Sequence, residues 1–83
     1  MNVIIILIGN RFESAVQVQE ILTKNGDIIK TRLGINRTPG EENPGSGFIF
    51  LELGGPDSRI QKLCDELTTV KNVKAECLTL SLP

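Results

Sequence analysis

Val3–Ile8 reads VIIILI, an unbroken run of β-branched and leucine side chains. Its length and β-branched content predict a strand buried on both faces. Gly9-Asn10 ends it. Asn10 then stands as an N-cap, with Glu13 three residues on in capping-box position. Ala15, Val18, Ile21 and Leu22 form an apolar stripe at helical spacing, opposite Glu13, Gln17, Glu20 and Lys24. Glu20 and Lys24 are an i,i+4 pair in the favourable order. Asn25-Gly26 closes this helix, Gly26 supplying a left-handed cap.

Asp27–Ile35 alternates. Ile29, Thr31, Leu33 and Ile35 face one way, and Ile28, Lys30, Arg32 and Gly34 the other, as in a half-exposed strand. Residues Asn36–Gly47 carry proline and glycine turn signals without periodicity and predict a long hairpin loop. Phe48–Leu53 (FIFLEL) is a second, almost uninterrupted apolar strand, ended by Gly54-Gly55-Pro56. Ser58 with Gln61, or Asp57 alone, caps a second helix over Asp57–Val70, with Ile60, Leu63, Cys64, Leu67 and Val70 as its buried stripe. Asn72–Leu82 is the last strand. Its apolar phase slips from Val73, Ala75 and Cys77 to Leu78, Leu80 and Leu82, which a bulge near Cys77-Leu78 would explain.

The order is strand, helix, strand, strand, helix, strand. Right-handed crossovers then place both helices on one face of a four-stranded antiparallel sheet, the first and third strands central. The fold class is α+β, a ferredoxin-like βαββαβ sandwich forming one domain over residues 1–83.

In such a sandwich the sheet face without helices meets water, and a central strand should alternate. Neither Val3–Ile8 nor Phe48–Leu53 does so. With Glu52 outward, Phe48 and Phe50 share the open face, and Ile28 and Lys30 are expected beside them. An apolar patch of this kind on a small soluble chain marks an interface or a ligand surface. Ile28, Lys30, Phe48, Phe50 and Glu52 are the expected oligomer interface, in a dimer or tetramer.

Composition points the same way. A chain of 83 residues lies near the lower limit at which one core suffices, so a staple or a partner is expected. A metal staple is not expected: histidine is absent and the two cysteines, Cys64 and Cys77, lack C-x-x-C spacing. Both cysteines fall on apolar positions and read as buried thiols in a reducing cytoplasm, although spacing alone leaves a disulfide open. Nine basic and ten acidic residues give a net charge of −1, which is no footprint for duplex nucleic acid or an anionic membrane. The run Val3–Ile8 is too short to span a bilayer and lacks signal-peptide flanks.

No catalytic residues are expected. No nucleophile–base pair can be assembled without histidine, and Ser14, Ser46, Ser58 and Ser81 sit in cap, loop or terminal settings. Glu41-Glu42 reads as loop solvation. No P-loop or dinucleotide fingerprint follows a strand, and no cofactor is called for. Gly9-Asn10-Arg11, at the start of the first helix, could hold an anion, and a small ligand is expected near Gly9, Asn10, Arg11, Arg32 and Gly34. Lys30 and Arg32 could instead pair with Glu52 across the sheet.

Two other classes share part of this pattern. Gly47–Leu53 and Ile6–Asn10 partly resemble the signatures of RNA recognition motifs, in which aromatics on the open sheet face stack bases. Leu7 stands where the first-strand aromatic belongs, Ser46 replaces the basic residue, Ile49 the small one and Leu53 the last aromatic. Acylphosphatases share the fold and use an Arg where Arg11 stands, but their glycine-rich loop is absent.

Several segments resemble the iron-only hydrogenase system regulators: Arg11–Val16, Glu20–Leu22, Gly26–Ile29, Arg32–Ile35 and Ile49–Leu53, then Pro56-Asp57, Ile60, Leu63, Leu67 and Val73-Lys74. The resemblance covers nearly the whole chain. It implies an ACT-like fold, also like the C-terminal domain of nickel-responsive regulators, oligomeric through its sheet, with a regulatory role and a small-molecule ligand or a regulatory protein as partner. The chain departs from these relatives in three ways. It has no histidine for a nickel site. It has Gly9-Asn10-Arg11-Phe12 where amino-acid-binding ACT domains often carry Asp-x-Pro-Gly. No DNA-binding arm is expected before the first strand.

Overall fold

The computed structural model describes residues 1–9, 12–36 and 47–83. The expected Asn10 cap, Arg11 and residues 37–46 of the predicted hairpin lie outside them. Strand β1 (Asn2–Ile8) leads to helix α1 (Phe12–Lys24), a short 3₁₀ turn (Gly26–Ile28) and strand β2 (Ile29–Asn36). Strand β3 (Gly47–Leu53), helix α2 (Asp57–Thr68) and strand β4 (Val73–Thr79) follow. The strands form one antiparallel sheet in the order β2-β3-β1-β4. The two greasiest strands are therefore the central ones, as a ferredoxin-like α+β fold requires.

Alternation along each strand sorts the side chains. Ile4, Ile6 and Ile8 of β1 and Ile49, Leu51 and Leu53 of β3 are buried in one core with Val18 and Leu22 of α1. From α2, Ile60, Leu63, Cys64 and Leu67 complete it, and Val70 follows just beyond the helix end. Both helical stripes thus face the sheet as their spacing predicts. Full burial of each Leu or Ile contributes about 1.5–3 kcal/mol.

The connections differ from the sequence expectation in ways that have local causes. Gly26 has no left-handed backbone, since among the described glycines only Gly55 has positive φ, at 114°. Asn25 ends α1 instead: its Nδ2 donates to the Ile21 carbonyl at 2.9 Å, and its backbone N–H reaches Ile21 and Leu22. An amide side chain that bonds the last turn makes a left-handed glycine unnecessary there. Pro56 takes the N-cap position of α2, and no side chain caps it. Proline fits this site because its missing N–H would have no helical partner. The helix stops at Thr68, short of the predicted Val70. Lys24 bonds Glu66 of α2 at 3.0 Å, tying the two helices together.

Two strands differ from the pattern their sequence predicts. The β1–β4 register runs without a break through Ile4 opposite Cys77 and Val3 opposite Leu78, so no bulge lies there. The apolar slip arises because Val73, Ala75 and Cys77 face the helices while Leu78 faces the other side. The irregularity lies instead in β2, between Ile29 and Thr31. It reverses the expected phase of β2, while Ile28, in the 3₁₀ turn before the strand, is buried in the core.

Candidate functional site

On the helix-free face, the strand registers arrange side chains in three rows. Thr31, Glu52, Val3 and Leu78 form the first, and Leu33, Phe50, Ile5 and Glu76 the second. Ile35, Phe48, Leu7 and Lys74 form the third. Residues opposite one another on neighbouring strands share a face, so each row crosses the whole sheet. The apolar positions join into one continuous patch. Its polar members gather at opposite corners: Thr31 donates to Glu52 at 3.2 Å, while Lys74 and Glu76 lie 3.7 Å apart. Leu33 is 55% exposed, Ile35 52%, Leu78 46% and Leu7 41%. Leu80 lies two residues beyond Leu78. It is held in register because its N–H donates to the Met1 carbonyl at 2.8 Å.

Of the expected interface residues, Phe48, Phe50 and Glu52 lie on this face, Phe48 and Phe50 half-buried. Ile28 does not, being core. Lys30 sits at the irregularity in β2 and lays its stem across Gly54, where a Cβ would come within 2.6 Å of its Cε. Thr31, Leu33, Ile35 and Leu78 take part without having been expected to. A consistency signal was available for Leu33 and Ile35: apolar outward faces on β1 and β3 call for the apolar half of the neighbouring edge strand.

Of the expected ligand residues, Asn10 and Arg11 lie outside the described residues, and Gly9, Arg32 and Gly34 stand apart within one chain. Gly9 ends β1, and its N–H donates to the Asn72 carbonyl at 2.7 Å. Asn72 has φ of 60°, and a Cβ at Gly9 would sit 3.0 Å from the Asn72 Cβ. Arg32 and Gly34 belong to edge strand β2, with β3 between them and β1. Arg32 is opposite Leu51 and Gly34 opposite Ile49, so both point to the helix side. The Arg32 guanidinium donates to Gln19 of α1 rather than to Glu52, and open space surrounds the missing Gly34 Cβ. An open groove of about 620 Å³ runs along α1 beside Ala15, Val16, Gln19, Glu20, Thr23 and Lys24.

Other polar features hold the frame. Buried Ser14 donates its hydroxyl to the Lys71 carbonyl at 2.6 Å, joining α1 to the turn before β4. Arg59 makes two bonds to Asp27, at 2.8 and 2.9 Å. The pair holds the Asp27 carboxyl below its usual range and raises the guanidinium. Cys64 is buried and Cys77 half-buried, both as free thiols. Burial, reinforced by the neighbouring Cys77, pushes the Cys64 thiol up to about 11. Among the described residues no group of three or more His, Cys, Asp or Glu could hold a metal, and no helix is long and apolar enough to cross a membrane.

The sequence matches no family model and no curated protein. Among solved structures, the chain is similar to the uncharacterized protein TM1266 from Thermotoga maritima. The match has a TM-score of 0.85 at 24% identity and covers 96% of this chain and 95% of that one. It is also similar to part of a formyltetrahydrofolate deformylase from Pseudomonas putida KT2440, with a TM-score of 0.61 and 12% identity. There 95% of this chain matches 28% of the enzyme. What the chain shares with both is a ferredoxin-like, ACT-like fold.

Proposed function

We propose that this chain is a small regulatory, ligand-sensing module that works as a homo-oligomer. The observation that carries the reading is the continuous apolar patch from Leu33 to Leu78 on the helix-free face of the sheet. Burying ~400 Å² of it per subunit would contribute ~10 kcal/mol by area, before association costs that cancel much of it. A second copy suits the patch because it is equally apolar and keeps its polar groups to two opposite corners. The fold shared with TM1266 and with part of a formyltetrahydrofolate deformylase supports a ligand-sensing module. A link to the iron-only hydrogenase system rests on the sequence resemblance alone.

The ligand would sit at the end of β1, by Gly9, Asn10 and Arg11. Arg32 and Gly34 would meet it only as contributions of another copy. A thermal-shift screen of amino acids, nucleotides and inorganic anions tests this, because a ligand at 100 times its Kd stabilises the native state by ~2.7 kcal/mol. A rise in Tm that Arg11→Ala abolishes is the expected result. A screen with no hit would leave a protein-interaction module.

Phe48 and Phe50 side by side on an open sheet face favour RNA as the second reading. The same twelve-residue face carries Lys74 as its one cation against Glu52 and Glu76, which weighs against a phosphate backbone. Anisotropy with labelled single-stranded RNA at low salt separates the two.

A further inference from the structure

We propose that Cys64 and Cys77 are a built-in redox pair that closes to an intramolecular disulfide when the protein meets a two-electron oxidant of the peroxide class. The two residues are the only cysteines of the chain and lie 13 positions apart on different elements. Cys64 belongs to the buried stripe of α2. Cys77 lies opposite Ile4 on the helix-facing side of β4 and packs against the same core. Helix α2 packs directly on β4, and Cys77 packs against the core cluster that holds Cys64.

Their surroundings divide the labour. Cys77 is half-buried and Cys64 only 6% exposed, so a small oxidant reaches Cys77 first. The Cys77 thiolate attacks one peroxide oxygen. The O–O bond breaks, the departing hydroxide takes up the thiol proton as water, and Cys77 becomes a sulfenic acid. The Cys64 sulfur then attacks the Cys77 sulfur. An S–S bond forms, the S–O bond breaks, and the second hydroxide leaves as water with the Cys64 proton. Two thiols are oxidised and one peroxide is reduced to two waters. A dithiol reductant reverses the change by exchange.

Closure needs the two Cα atoms within ~7 Å. Strand β4 is at the sheet edge and is laddered only to β1, so it can move toward α2 without tearing a second ladder. A shielded Cys64, held protonated by burial, keeps the pair reduced until Cys77 is oxidised. Disulfides of this transient kind are the ones that occur in reducing compartments. Because the pair faces the helices, its closure is independent of whether the opposite face self-associates.

The test treats the folded protein with hydrogen peroxide, quenches, denatures, alkylates and measures intact mass and peptides. The expected product has lost two hydrogens, resists alkylation at both cysteines, yields a Cys64–Cys77 linked peptide and is restored by dithiothreitol. In Cys64→Ala, a sulfenic acid at Cys77 should be trapped by dimedone. In Cys77→Ala, Cys64 should stay reduced. Linkage only between chains, linkage only in urea, or sulfinic acid at Cys77 with Cys64 still free in the unaltered sequence would overturn the proposal.

Discussion

Leu33 and Phe50 lie opposite one another on β2 and β3, and both point away from the helices. An edge residue that is 55% exposed thereby extends the apolar surface of a central strand across the sheet. Leu33→Lys should leave the monomer fold intact, since the side chain touches none of the core. It should weaken self-association by about tenfold or more, ~1–2 kcal/mol. Sedimentation equilibrium over a concentration series measures the change, with circular dichroism as the control for folding.

Ser14 is the opposite case, a polar residue that acts inside. Its hydroxyl satisfies the Lys71 carbonyl 57 positions away. Ser14→Ala leaves that carbonyl without its partner at a part-buried site and should cost about 1–2 kcal/mol. Urea unfolding should show a lower midpoint with an unchanged slope.

Much of this architecture was legible in the chain. The runs Val3–Ile8 and Phe48–Leu53 announced central strands, and their lack of alternation announced a second apolar face. Helical spacing marked Val18, Leu22, Leu63 and Leu67 correctly because a stripe depends only on local periodicity. The phase of β2 was not legible. One irregular step between Ile29 and Thr31 inverts every later side chain, and no local signal in DIIKTRLGI marks that step. Leu78 was misread for the complementary reason: an apolar residue on an outward position looks like a register slip when the outer face is assumed polar. The side of the sheet on which Arg32 lies was not legible either: the change of phase in β2 carries it to the helix side, where its guanidinium donates to Gln19.

Gly9 packs tightly against Asn72. Gly9→Ala would place a methyl group 3.0 Å from the Asn72 Cβ and 3.1 Å from its carbonyl oxygen, pushing apart a backbone bond of 2.7 Å. A loss of about 1–3 kcal/mol is expected. Thermal unfolding reads it directly.

Stability should fall on both sides of neutrality, for different reasons. The folded Asp27 carboxyl lies below its ordinary value of 3.8 because Arg59 bonds it. Its contribution is present above that value and is lost as the pH drops through the lower folded value. Cys64 is raised from 9.0 to about 11, so the fold favours the neutral thiol. Its contribution is complete below pH 9 and is lost as the pH climbs from 9 to 11. Unfolding free energies across pH check both limbs. Asp27→Asn should flatten the acid limb.

The most direct measurement of the central claim is the molar mass of the purified chain by light scattering at low micromolar concentration. A dimer or a larger closed assembly is expected, shifted toward monomer by Leu33→Lys. A monomer across the whole concentration range, with Leu33, Phe50 and Leu78 covered by residues of the same chain, would contradict it.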